Sequence, residues 1–372
     1  MKILFAGDFS VQDRAKLIFE DRQKAINALS EVSAICRNHD LCIVNFESPV
    51  TESCNPILKD GPKLKNPKYS ISVLKETGFD LFTLANNHLK DYGIKGVTDT
   101  IDACLGSGIK VIGAGKNIAE ARKPYIWEKD GKRIAFLNVC ENESSIASEN
   151  EPGSAPVKEI NLYYDINIAK ENADYVVVIV HGGREHYQFP TPRMKELYHY
   201  IADLGADLIV NHHQHCYSGY EVYKNVPIFY GLGNFYFDNP SKRDCIWNQG
   251  LMLSVSLGDS IYWELIPIEQ CNQDAAVKIL PYKDIKQKVE ELNTIISNDE
   301  SLKQTYNSMI EKQHPLSPMQ PYSNHYVRAL YHRGFLPNLI SKQKQAEILN
   351  AVRCETHRDL LITYLEGILY GN

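Results

Sequence analysis

The sequence predicts an α/β sandwich of mixed sheets flanked by helices, with a helical appendage at its C-terminal end. Three observations predict it. Short apolar runs alternate with helical patterns over the first 210 residues, and a β-rich texture follows from about residue 218. After about Pro281 the chain turns polar and helix-favouring, without strand signals.

The strands are the clearest elements. "KILFAGD", "LCIVNFE", "FDLFTLANNH", "IKVIGAG", "RIAFLNV", "DYVVVIVHGG" and "ADLIVNHHQH" are rich in Ile, Val, Leu and Phe. Continuous apolar runs of this kind suit strands covered on both faces. Helical stretches lie between them, such as "DRQKAINALSEVSAICRN", "VTDTIDACLGSG" and "RMKELYHYIADLG". The Asp-Gly pair in "WEKDGKRIAFL" is a turn signal and predicts a hairpin. Further strands are expected in "YEVYKNVPIFYGLGNFYF" and "GLMLSVSLGDSIYWELIPIE". We therefore expect residues 1–282 to form one α/β domain. Residues 283–372 are expected as a helical extension, joined by the "HPLSPMQPYSNH" loop.

Composition narrows the classes. Hydrophobic content of 44% and charged content of 23% are ordinary for a globular protein. A net charge of −6 and the lack of a basic block point away from nucleic acid and anionic membrane as partners. No apolar segment is long enough to span a bilayer. "MKILFAGDFS" reads as a first strand, not a signal peptide. The nine cysteines are scattered and never in a C-x-x-C arrangement, which suits reduced thiols in a cytoplasm.

Polar clusters recur where apolar strands end. Asp8 follows "ILFAG", Asn45 and Glu47 follow "LCIV", and Asn86, Asn87 and His88 follow "LFTLA". His181 follows "VVVIV", and His212, His213 and His215 follow "ADLIV". Taken singly, each has a bland reading: Asn87 caps a helix beginning near Leu89, and Asp8 closes an Asx-turn. Taken as five clusters at the carboxyl ends of strands, where α/β sheets bind ligands, they predict a metal-centred site. An extended H-x-H segment points His213 and His215 one way and His212 the other, so the first two are read as ligands. Asp, Glu, Asn and His donors without cysteine suit Mn, Fe or Zn. About seven donors exceed one tetrahedral ion and suit a pair bridged by a carboxylate and a hydroxide.

At this point the chain resembles the capsule-synthesis family typified by the poly-γ-glutamate proteins CapA and PgsA, whose fold is that of calcineurin-like metallophosphoesterases. The resemblance runs to about residue 240, over "VNFESPVT", "LANNHLKDYGIKGVTDTIDACLGSGIKVIGAGKN", "VHGGREHY", "GADLIVNHHQH" and "YGLGNFYFD". It implies Asp8 as the first aspartate ligand, Glu47 as the bridging carboxylate and Asn87 as the amide ligand. It implies His181, His213 and His215 as imidazole ligands, and His88 as the acid that protonates the leaving group. The chain departs from the pattern at three positions. Ser10 replaces a common histidine, which leaves a single-ion site open as an alternative. Gly182 stands for a usual tryptophan and Asn211 for a usual glycine. The membrane anchor usual in family members acting at the cell surface is not found.

Other features are secondary. "GAGKN" lacks the spacing of a phosphate loop and reads as a strand-to-helix turn. Asp91 lies three residues after His88; on a helical turn it would share its face, raise the pKa of the imidazole and orient it. Arg184 can fork onto a phosphate or carboxylate. Asn45, Arg184 and Glu185 are the expected substrate contacts. The expected activity is that of a cytoplasmic, divalent-metal-dependent hydrolase, with a metal-activated hydroxide attacking a phosphoester or related acyl or amide bond. Its substrate is expected to be a small molecule or polymer bearing phosphate or carboxylate groups. The alternative is a non-catalytic metal-binding accessory protein for an anionic polymer.

Overall fold

A computed structural model describes residues 1–59, 61–258, 260–313 and 325–336 of the chain. The first strands are β1 (Lys2–Ser10), β2 (Leu41–Phe46), β3 (Leu81–Thr83), β4 (Lys110–Ile112), β5 (Ala114–Gly115), β6 (Tyr125–Lys129), β7 (Lys132–Cys140) and β8 (Gly153–Ser154). They are followed by β9 (Tyr175–His181), β10 (Leu208–His212), β11 (Tyr220–Tyr223), β12 (Val226–Phe229), β13 (Asn234–Phe237), β14 (Gln249–Leu257), β15 (Ile261–Gln270) and β16 (Val277–Ile279).

Two mixed sheets result. One runs β16-β15-β14-β1-β2-β3-β4, with β13 also paired to β1, and the other β11-β12-β10-β9-β7-β6. Strands β1 to β4 are mutually parallel, as are β7, β9, β10 and β12. The period of two along each strand explains the layering. Ile3 and Phe5 of β1 join Ile43, Phe136, Val177, Ile179 and Val210 in a core between the sheets. Leu4 and Ala6 face the other way, packing with residues of helices such as Ser30–Cys36 and Ser70–Thr77. Val176, Val178 and Val180 of β9 likewise face Leu162 and Ile166 of helix Glu159–Asn172 and Leu197 and Ile201 of helix Pro192–Leu204. Both faces of the inner strands are covered, so their sequence reads as unbroken apolar runs. This is the α/β sandwich of mixed sheets flanked by helices expected from the sequence.

Local signals mostly held. β6 and β7 form the expected hairpin, with Asp130 and Gly131 at φ 52° and 73°. The expected helix over 21–38 is two helices, Arg22–Ala28 and Ser30–Cys36, broken at the buried Leu29. The strand-to-helix turn at "GAGKN" is capped by Asn117, whose side chain accepts from Glu120 N.

The compact unit carrying the sandwich is Met1–Tyr306. Helix Lys286–Ile296, placed in the extension by its polar pattern, buries Val289 and Leu292 in the inter-sheet core. The second unit is Asn307–Asn372, in which His325–His332 is helical. The helical pattern expected from "KQKQAEILNAVRC" onward, and the loop at 314–324, lie outside the described residues. Among the described residues, no helix is long and apolar enough to cross a membrane.

Candidate metal centre

The site forms where the parallel strands of both sheets end. Asp8 and Asn45 are register partners on β1 and β2, and His181 and His212 are partners on β9 and β10. The β1–β2 register shifts between Ala6 and Asp8, so Gly7 is the extra residue. A side chain there has no room: a Cβ on Gly7 would lie 1.9 Å from Gly233 O. The close approach lets Asp8 N donate to Gly233 O at 3.0 Å and turns the Asp8 side chain into the site.

Two groups of three donors lie together, each with its donor atoms within 4.8 Å of one another: Glu47, His181 and His213, and Asp8, Glu47 and His215. Glu47 belongs to both. All five side chains are buried, and among the described residues neither carboxylate oxygen of Glu47 has a hydrogen-bond partner. Asn87 Oδ1 lies 3.1 Å from His181 Nε2, so the amide faces the same group. His213 Nδ1 lies 3.1 Å from His181 Nε2, and His215 Nε2 lies 3.6 Å from Glu47 Oε1. Every ligand expected from the sequence is therefore drawn to one place.

The histidines reach it differently from expectation. His213 and His215 do not continue an extended strand; their φ values are 93° and 56°, in the left-handed region. Such backbone costs about 1–3 kcal/mol per residue and persists where surroundings enforce it, often at functional sites. Here the turn, not strand alternation, brings both rings to one side. It also changes His212, which faces Asp8 with Nδ1 3.6 Å from Oδ1, not the opposite direction.

The stretch after β3 holds the remaining chemistry. Asn86, not Asn87, does the local capping: its side chain accepts from His88 N and Leu89 N at 3.0 and 2.8 Å. The helix starts at Gly93, not near Leu89. His88 and Asp91 instead meet across a turn closed by Asp91 N on His88 O, with His88 Nδ1 2.7 Å from Asp91 Oδ2. Both side chains are buried.

Electrostatics follow from burial and crowding. Burial first, and then the charge of Asp8, hold the Glu47 carboxyl well above its usual range. Burial also pushes Asp8 upward, but hydrogen bonding and charge from His215, with His212 and Asn45, outweigh it and lower it. His215 is pushed down by burial, yet Glu47 and Asp8 outweigh that and raise it to about 10. His213 falls to about 4, through burial and then His215, and His181 falls well below the usual histidine range for similar reasons. A buried carboxyl without a hydrogen-bond partner among the described residues, set beside the imidazoles of His181, His213 and His215, is a fitting place for a divalent cation. The donors are nitrogen and oxygen. Burial pushes the neighbouring Cys216 thiol up to about 12, so it offers no thiolate.

Supporting residues account for the departures. Asn45, expected at substrate, is fully buried; its Nδ2 donates to Asp8 Oδ1 at 2.8 Å and lies 3.1 Å from His181 Nδ1. Ser10 is engaged with Ser48 Oγ at 2.7 Å and Gln12 Nε2 at 2.9 Å and joins neither donor group. Gly182 packs on Glu141, whose Cγ would lie 2.7 Å from an added Cβ, so a larger side chain would have to displace Glu141. Asn211 ties the end of β10 to Gly182 O and Tyr230 O and accepts from Tyr198 OH. Arg184 and Glu185 are exposed on the turn after β9, and the charge of Glu185 reaches Glu47. Three contributors escaped the sequence reading. Asn234 holds His215 Nδ1 at 2.9 Å, Glu143 bonds the Asn87 side chain, and Lys59 approaches His88. Asn234 carried one signal, its place in "LGNFYFD" at a strand start; the other two carried none.

Comparison with known proteins places this geometry. The PGA biosynthesis protein CapA of Bacillus subtilis (strain 168) is 36% identical over 241 residues, 63% of this chain and 62% of that protein. The capsule biosynthesis protein CapA of Bacillus anthracis is 37% identical over 216 residues, 56% of this chain and 53% of that protein. The match thus spans less than two thirds of those relatives. Among solved structures, a putative 5'-nucleotidase from Staphylococcus aureus is similar at a TM-score of 0.47 and 15% identity, covering 78% of this chain and 58% of that one. A family model described as bacterial capsule synthesis protein PGA_cap matches residues 2–239, which contain every donor named above. The chain belongs to the bacterial capsule synthesis protein PGA_cap family.

Proposed function

We propose that this chain is a divalent-metal-dependent hydrolase of the CapA type, cleaving a phosphoester or a related acyl or amide bond. The observation that carries the reading is Glu47, shared by two donor groups and without a hydrogen-bond partner on either oxygen. That is the arrangement a bridging carboxylate needs, and it favours a pair of ions, drawn from Mn, Fe and Zn. When bound, such ions supply Lewis-acid activation of water and of the scissile group.

The protein's own residues do the rest. Asp8, Glu47, Asn87, His181, His213 and His215 hold the centre, and Asn45 fixes Asp8 and His181 from behind. His88 is the acid. With Nδ1 engaged by Asp91, Nε2 is the nitrogen left to deliver a proton to the leaving group. Arg184 and Glu185, on the exposed turn, meet a substrate bearing phosphate or carboxylate groups. The PGA biosynthesis named for one relative, with the resemblance to the poly-γ-glutamate capsule family, favours an anionic polymer of that kind as substrate or product. The described cysteines are all unpaired, which favours a reducing compartment such as the cytoplasm.

One observation favours the second reading, a non-catalytic accessory protein for such a polymer: Ser10 is bonded to Ser48 and Gln12 and adds no donor where a histidine is common. Elemental analysis of the purified chain, with turnover of aryl phosphate, alkyl phosphate and γ-glutamyl amide substrates, separates the two. Hydrolysis of one class by the metal-loaded protein supports the enzyme. Bound metal with no turnover of any class supports the accessory role.

A further inference from the structure

Lys59 sits in the loop between β2 and helix Ser70–Thr77, and its side chain is only 6% exposed. A lysine that buried is rare and costly unless its charge is matched. Its match is Asp91, itself buried: Lys59 Nζ donates to Asp91 Oδ1 at 2.6 Å and to Asn87 O at 3.0 Å. It also lies 3.3 Å from His88 Nδ1. The loop around it converges on the same residue, with Ile57 N on Asp91 O and Leu64 N on Asp91 Oδ2, both at 2.8 Å.

The donor inventory decides what these contacts mean. An ammonium only donates, and an ionised carboxylate only accepts. The 2.7 Å contact between His88 Nδ1 and Asp91 Oδ2 therefore requires the proton on Nδ1. Lys59 does not compete for that proton. It grips the other oxygen, so the carboxylate cannot rotate away from the imidazole, and it grips the carbonyl of the residue just before His88.

We propose that Lys59 is a positioning residue, locking Asp91 so that His88 keeps Nδ1 protonated and presents Nε2 to the leaving group. This rests on the acid role given to His88 above. It also ties the seating of Ile57, Lys59 and Leu64 against Asp91 to readiness of that acid.

The test uses the full chain with Lys59→Met, Lys59→Arg, His88→Ala and the Lys59→Met/His88→Ala double variant. Nitrogen-15 NMR of histidine rings in metal-free protein reads the hydrogen bond directly. The wild type should show a protected Nδ1 proton on His88, Lys59→Met should lose it, and Lys59→Arg should keep it. With metal and an alkyl ester, Lys59→Met should lower kcat by about 10–100-fold, the usual cost of an outer-shell partner. KM and metal content should stay within about twofold, and Lys59→Arg should recover most of the loss. Lys59→Met should cost nothing further on top of His88→Ala. An unchanged ring proton in Lys59→Met, or a loss that adds in full to that of His88→Ala, overturns the proposal. If Lys59→Met does not fold, Lys59→Gln takes its place in each comparison. If the wild type hydrolyses nothing, the hydrolase reading fails, while the ring proton still decides the role of Lys59.

Discussion

Asn45 donates to Asp8 across the β1–β2 register pair, its Nδ2 2.8 Å from Asp8 Oδ1, and the same nitrogen lies 3.1 Å from His181 Nδ1. One buried amide thus holds one donor from each sheet. Outer-shell partners of this kind typically matter about 10–100-fold in metal affinity or activity. Asn45→Ala should therefore weaken metal binding by about that factor, measured by competition with a chromogenic chelator. At saturating metal its KM should match the wild type. A raised KM with unchanged metal affinity would make Asn45 a substrate contact after all.

His88 and Asp91 should separate from the ligands in their effects. His88→Ala should leave metal content nearly intact and lower kcat by roughly 10²–10⁴-fold, the span for losing a general acid. The loss should shrink for a nitrophenyl ester, whose leaving group needs little protonation, and be full for an alkyl ester or an amide. An effect that ignores leaving-group pKa would remove the acid role.

The histidine turn gives a third expectation. His213→Ala with His215→Ala should strip most of the metal, since each donor group loses a member. His212→Ala should lose less, because His212 belongs to neither group. Elemental analysis of the purified variants checks this, and greater loss from the single variant would reverse the assignment.

Gly7 tests how the fold sets the site. An added Cβ would meet Gly233 O at 1.9 Å, so Gly7→Ala must push β13 from β1 or displace Asp8. Overpacking of this kind costs about 1–3 kcal/mol. The melting temperature should fall and metal affinity with it. A variant as stable and as metal-avid as the wild type would show that the close approach is not required.

What was legible in the sequence was what depends on short-range pattern. Strands buried on both faces announce themselves as apolar runs, and polar residues at their ends have few places to go except a shared crevice. Asp8, Glu47, Asn87, His181, His213 and His215 were visible in that way. What depends on tertiary placement was not. Lys59 is one of 40 basic residues in the sequence, and nothing local marks it as buried. Asn45 looked like a substrate contact because it stands near a strand end; the register sets it beside Asp8, to which it donates. The direction of His212 was misread because the pattern assumes extended backbone, whereas His213 turns into the left-handed region. Helix Lys286–Ile296 was placed in the extension because its pattern is polar, whereas tertiary packing buries Val289, Leu292 and Ile296.

We propose that a metal pair bridged by Glu47 drives hydrolysis. The most direct measurement titrates Mn, Zn or ferrous iron into chelator-stripped protein while following release of nitrophenol from a phosphate ester and nitroaniline from a γ-glutamyl anilide. The rate should rise from baseline for one of the two and saturate near about two equivalents of metal. Glu47→Gln should stay at baseline throughout. Full metal occupancy in the wild type with no rise in either rate would contradict it.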